Sequence, residues 1–309
     1  MGQLVGGFEA SAIQNATPLF SLVKHIFPNQ LSEQFFAMAI IVFSGVLLNA
    51  TINKEQFFEK HTYLPALTYI FVMSLFPKYQ HLHPIILANF FVILSIRRLF
   101  HIRRAVDARR MIFDAGFFLG ISALFYEYYI AFYLLAWGTL AVLRPFVWRE
   151  HFMGLFGLVI PLVALLFYQY MTDNILDFVV SIQPKNQYSF SFIADSWFSL
   201  GIGIGISLIL LIVGGRSFII RQKRSSLRFK RISNIILFMG LIVLILSGFF
   251  ALLDYRNPAI FMCAVLCSFL LTFYFFYSRK QKIAAVLFYL TIAYCTLTIY
   301  YEQLENIFN

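Results

Sequence analysis

The chain has 309 residues, 61% hydrophobic and only 12% charged, with a net charge of +10. A water-soluble domain is nearer half apolar and a quarter charged, and 38 phenylalanines are more than one water-surrounded core of this size would bury. The surplus requires a second apolar solvent, the hydrocarbon of a bilayer. The basic residues fall in short clusters between apolar runs instead of along one polar face, which excludes nucleic acid as the partner.

A helix that spans a membrane needs roughly 20 apolar residues. After an outer N-terminal segment, 1–34, the sequence predicts ten such spans, at about 35–52, 62–76, 83–96, 111–126, 127–143, 151–171, 195–215, 232–252, 258–277 and 283–301. The runs are continuous and lack the alternation of a membrane barrel, so the expected fold is all-α. It is a polytopic bundle forming one integral domain, with six spans in 35–171, an outer loop at 172–194 and four spans in 195–301.

Two pairs of spans are tight. Residues 62–96 and 111–143 each offer fewer residues than two full crossings require, and polar or turn residues interrupt each pair. Both read as short helical hairpins. Either the bilayer thins around them or they line a recess open to the outside.

Lys and Arg set the orientation. Of the 24 basic residues, all but Lys24, Lys78, Lys185 and Arg256 lie in the loops that follow spans one, three, five, seven and nine. Those loops face the cytoplasm, and both termini then lie outside. Residues 1–34 contain no basic leader with an apolar core. The expectation is that a further span precedes them in the full reading frame.

Candidate sites follow in chain order. Glu9 and Glu33 are outward acids. His81 and His83, at i and i+2, can share one face of an extended segment, with no third ligand evident. Asp114, just inside a span, is expected to pair with Arg110 four residues earlier. Glu127 sits among Tyr126, Tyr128 and Tyr129 at the second hairpin turn. It is either an interfacial residue in an aromatic belt or a submerged acid of raised proton affinity. Arg144 and Arg149 flank an inner loop with Trp148, suited to lipid phosphates or to ordinary anchoring. The seven basic residues from Arg216 to Arg231 suit anionic inner-leaflet lipid. Arg256, the one outward arginine, could hold a lipid pyrophosphate or pair with Asp254.

Gly116 and Gly120, like Gly201 and Gly205, have the spacing of close helix packing. The GIGIG run at 201–205 lies inside a span and is no dinucleotide fingerprint. Cys263, Cys267 and Cys295 lie in apolar runs. No metal set and no cofactor is called for.

Four runs carry a resemblance: HTYLPALTYIFVMSLFP, LHPIILANFFVILSIRRLF, IFDAGFFLGISALFY and LRPFVWREHFMGLFGLVIPL. Together they resemble an uncharacterised family of Bacteroidetes polytopic integral membrane proteins, catalogued as a domain of unknown function. The likeness covers roughly 15–175. It implies a multi-pass protein of a bacterial inner membrane, with one more span ahead of the segment NATPLFSLV, and it brings no catalytic residues. The FDAGFFLGISALFY span followed by an aromatic span and RPF also resembles polytopic glycosyltransferases that use lipid-linked sugars. In those enzymes an outward carboxylate soon after the first span acts as base or binds metal. Glu9 or Glu33 falls in that region, though neither sits in a paired acidic motif.

Three functions are therefore expected in order. The first is an envelope-biogenesis enzyme acting on a lipid-linked substrate. The second is a non-catalytic scaffold or assembly subunit of an envelope complex. The third is a transporter, although no internal repeat supports it. Membrane lipids are the expected partners. The sidedness is testable with alkaline phosphatase, which is active only outside the cytoplasm. A fusion after Tyr188 should be active and one after Arg224 inactive; the reverse pattern would overturn the orientation.

Overall fold

The computed structural model describes residues 18–27, 29–55, 57–58, 60–74, 82–102, 107–143, 147–172 and 264–277, with scattered residues between 212 and 246 and between 282 and 293. Among the described residues every regular element is helical. That is the form a chain takes where no water is present to satisfy its backbone. The helices are α1 (Pro18–Ile26), α2 (Gln30–Lys54), α3 (Leu64–Ser74), α4 (Pro84–His101), α5 (Arg109–Phe125), α6 (Tyr133–Leu143), α7 (Trp148–Met171) and α8 (Ala264–Tyr277), with a 3-10 turn at Glu127–Phe132 between α5 and α6.

Among the described residues, three helices are long and apolar enough to cross a membrane: α2 from Leu31, α4 and α7. The 24 residues of α7 extend about 36 Å, more than the ~30 Å of hydrocarbon they would cross. The chain is a helical membrane protein. Within the two hairpins, α3 and α6 are described up to Ser74 and Leu143, and residues 75–81 and 144–146 lie outside the described residues. α3 and α6 have 11 residues each, about 16 Å of helix. The segment 1–34 contains a helix that the span map lacks, α1, which buries Phe20 and leaves Leu22 and Ile26 exposed. The predicted spans 195–215, 232–252 and 283–301 and the loop 172–194 lie largely outside the described residues.

The contacts divide the chain into two compact units. The first takes in Met1–Glu33, Pro84–Phe192 and Phe238–Met262. Its hub is α5, which packs against α4 and α7 most extensively and also meets α1, α6 and the 3-10 turn. Glycine makes the α5–α7 contact possible. A Cβ on Gly116 would overlap the Gly154 carbonyl, one on Gly157 would overlap the Phe113 carbonyl, and one on Gly120 would lie 2.5 Å from the Leu158 carbonyl. The backbones themselves touch, as the four-residue spacing of Gly116 and Gly120 predicts. On the other side of α5, hydroxyls bridge to α4. Ser95 donates to the Ala115 carbonyl and Ser122 to the Ala88 carbonyl, each at 3.0 Å and fully buried.

The second unit takes in Gln34–His83, Ile193–Leu237 and Cys263–Asn309. Gly45 of α2 admits α3 closely, with the Ala66 carbonyl 3.1 Å from where its Cβ would stand. At the end of α2 the Asn53 amide donates to the Thr62 carbonyl at 3.0 Å and so closes the loop into α3. Between α3 and α8, the Thr68 hydroxyl lies 2.7 Å from that of Thr272 and 3.0 Å from the Ser268 carbonyl. Phe57, Phe58, Phe218, Phe269 and Phe273 form an aromatic cluster beside them, with ring centroids 4.7–5.9 Å apart. Cys267 is a buried thiol on α8.

The glycine seam generates a prediction. Gly116→Ala should destabilise the detergent-solubilised protein by about 1–3 kcal/mol, because the obstruction is backbone and cannot swing aside. Gly215→Ala, a helical glycine with nothing within 4 Å of its added methyl, should be neutral or slightly stabilising. Equal thermal melts for the two variants would refute the seam.

Candidate functional site

The chemistry-bearing residues of the first unit gather where α5 ends. Tyr126 takes an extended conformation, φ −149° and ψ 110°, which stops α5 at Phe125. Six residues then wind as a 3-10 turn before α6 resumes. The turn is packed by its own aromatic rings. Tyr126, Tyr129 and Phe132 are buried, and Tyr129 meets Phe132 edge-on at 4.8 Å and Tyr126 at 5.7 Å.

One hydrogen bond ties this turn to the neighbouring helix. The Tyr129 hydroxyl donates to Asn89 Oδ1 of α4 at 2.7 Å, and both side chains are fully buried. The Asn89 amide nitrogen has no partner among the described residues. A buried donor left unmade costs about 1–3 kcal/mol, and such groups are rare in folded chains. Asn89 and Tyr129 were not among the sequence candidates. An uncharged amide inside an apolar run was the available signal, since a polar side chain within a span finds a partner or a task.

Glu127 opens the same turn and is half-buried. It lies in the connection, outside the helices on either side. Burial pushes its carboxyl above the ordinary value of 4.5.

The other candidates are dispersed. Glu33 stands in the first turn of α2. Arg149 is exposed in the first turn of α7 beside exposed Trp148. His83 precedes α4, and its companion His81 lies outside the described residues. Glu9, Arg144 and Arg256 also lie outside them, as do Gly201, Gly205, Cys263 and Cys295. Among the described residues no three His, Cys, Asp or Glu side chains gather as a metal ion would require.

Asp114 is a correction. Its carboxylate lies 3.5 Å from Arg98 Nε on α4, not with Arg110 on its own helix. A base four residues ahead of an acid is the poorer helical order, and Arg98, in the last turn of the adjacent helix, reaches Asp114 from across the hairpin. Both partners are part-exposed, so the pair contributes little to stability, roughly 0–1 kcal/mol.

Two further contacts join the first two turns of α6 to the first turn of α7. The Tyr133 hydroxyl donates to the His151 carbonyl at 3.0 Å, and the Trp137 ring meets the His151 imidazole edge-on at 6.0 Å. Glu150 and His151 are buried there.

No family model, curated protein or solved structure matches this chain.

The environment of Glu127 gives a pH dependence. A carboxyl whose folded pKa is raised binds more protons in the folded state than in the unfolded one, so its charge costs stability. That cost is absent below the ordinary carboxylate range and complete once pH has risen past the raised value. Glu127→Gln should therefore melt with the wild type at acid pH and above it at neutral pH. A constant difference across the range would show that Glu127 is not desolvated.

Proposed function

We propose that the chain is a ten-span protein of a bacterial inner membrane that acts as an envelope-biogenesis enzyme on a lipid-linked precursor at the outer face, with Glu127 as its acid–base group. The observation that carries this reading is the half-buried Glu127 carboxyl on an aromatic turn that the buried Asn89–Tyr129 bond anchors to α4. The distribution of basic residues assigns this turn to the outer side. A base works best when its proton affinity lies near the working pH, and burial moves Glu127 in that direction. In transfer of a sugar from a lipid phosphate, Glu127 would accept the proton of the attacking hydroxyl as the new bond forms to the sugar. The bond between sugar and phosphate breaks, and the lipid phosphate leaves. Arg256 is the proposed outward holder of the leaving phosphate. Arg149 and Arg144 are proposed to hold inner-leaflet headgroups. Glu9 and Glu33 are the alternative bases.

A non-catalytic scaffold is the second reading. It is favoured by the continuous backbone contact of α5 with α7, which suits a rigid part as well as an enzyme. The two readings separate in a deletion strain whose envelope glycans and lipids are altered. Glu9→Gln, Glu33→Gln, Glu127→Gln and Arg256→Ala, each expressed at the wild-type level, should be tested for restoration. Loss of restoration with Glu127→Gln supports the enzyme. Full restoration by all four variants rejects it in favour of the scaffold.

A further inference from the structure

We propose that Asn89 and Tyr129 form a buried site for one neutral acceptor oxygen from outside the chain, either a water molecule or the ester carbonyl of a membrane lipid. Together an asparagine amide and a tyrosine hydroxyl carry three polar hydrogens, and the bond between them uses one. As oriented, Tyr129 donates to Oδ1 and both hydrogens on the amide nitrogen remain. With the amide turned over, its nitrogen would donate to the Tyr129 oxygen and one N–H would remain. Either orientation leaves an amide hydrogen buried away from bulk solvent, so what completes the site must accept.

The carbonyl of the preceding residue, Ala88, already takes the Ser122 hydroxyl. Among the described residues the Asn89 side chain bonds to the neutral Tyr129 hydroxyl and to no cation, whereas a buried phosphate needs a counter-charge. A neutral oxygen needs none. Asn89 lies five residues into α4, about 7.5 Å along its axis from Pro84. That is similar to the ~5–8 Å between hydrocarbon and water on each side of a bilayer, where ester carbonyls reside. The site stands whether or not Glu127 is catalytic.

The experiment uses the full chain, labelled with 15N-asparagine, in nanodiscs of phosphatidylethanolamine and phosphatidylglycerol. One set carries ester-linked chains and the other the ether-linked counterparts, which lack the carbonyl. The Asn89 side-chain amide, assigned through Asn89→Asp, should give a through-space cross-peak to water or to lipid. For a lipid carbonyl, the cross-peak is to lipid, the wild type melts lower in ether lipid, and Asn89→Leu does not respond to the change. For water, the cross-peak is to water and the wild type melts alike in both. In either case Asn89→Leu should melt several degrees below Tyr129→Phe in ester lipid, because it loses the outside partner as well as the tyrosine bond. The proposal is overturned if the wild-type amide contacts neither water nor lipid, or if a folded Asn89→Leu melts no lower than Tyr129→Phe. If Asn89→Leu does not fold, the wild-type cross-peaks alone decide.

Discussion

Helices surrounded by lipid gain nothing by hiding apolar side chains from an apolar solvent, and the architecture of the first unit follows from that constraint. What remains to hold helices together is close contact and hydrogen bonding. α5 uses both, one on each side. Toward α7 it presents Gly116 and Gly120 against Gly154, Gly157 and the Leu158 carbonyl, so that backbone meets backbone. Toward α4 it exchanges hydroxyl-to-carbonyl bonds at Ser95 and Ser122. A helix held on two sides in these ways has little freedom to slide. Its C-terminal end, where Tyr126 turns extended, is therefore a defined position from which the 3-10 turn can carry Glu127. The second unit solves the same problem with different residues: glycines at Gly45, against Ala66, and Gly214, against the Leu270 carbonyl, and a threonine–threonine–carbonyl contact between α3 and α8.

A break between helices changes what a polar residue costs. α5 stops at Phe125 and α6 starts at Tyr133, and the backbone of the 3-10 turn between them must be covered by protein or reached by water. Tyr126, Tyr128 and Tyr129 pack against one another on this turn, and burial of Glu127 on the same turn raises its proton affinity.

The parts of this arrangement legible in the sequence are the local ones. Apolar runs of near-spanning length identified the helices, and the shortness of 62–96 and 111–143 was visible as a deficit of residues. The four-residue spacing of Gly116 and Gly120 announced close packing but not the partner, since Gly154 and Gly157 lie about forty residues further on. Asp114 shows the limit most directly. Spacing offered Arg110, whereas the fold supplied Arg98, because a hairpin brings the last turn of one helix beside the first turns of the next. Glu127 was recognisable as an acid at a turn, but its partial burial depended on tertiary packing that spacing does not encode. The Asn89–Tyr129 bond joins residues forty positions apart and follows no periodicity. Only the oddity of an amide within the run PIILANFFVIL hinted at it.

That oddity bears on how the first unit is to be understood. Leucine at position 89 would fill a similar volume, need no hydrogen bonds and remove the unpartnered donor altogether. By stability alone it is the better residue for an apolar helix pair, because one net hydrogen bond of about 1 kcal/mol does not offset a buried donor costing about 1–3. Asparagine is favoured over leucine if its amide has another oxygen to meet, or if the position of Tyr129 matters more than stability. The two conditions are compatible. The bond to Asn89 is the cross-helix tie seen for the turn that carries Glu127, so an acceptor drawn to the free end of the amide would bear on the same side chain that holds the acid in place. Occupancy of the buried site and exposure of Glu127 would then be linked through one amide, and a group that enters from the bilayer could influence the turn without touching the carboxyl itself.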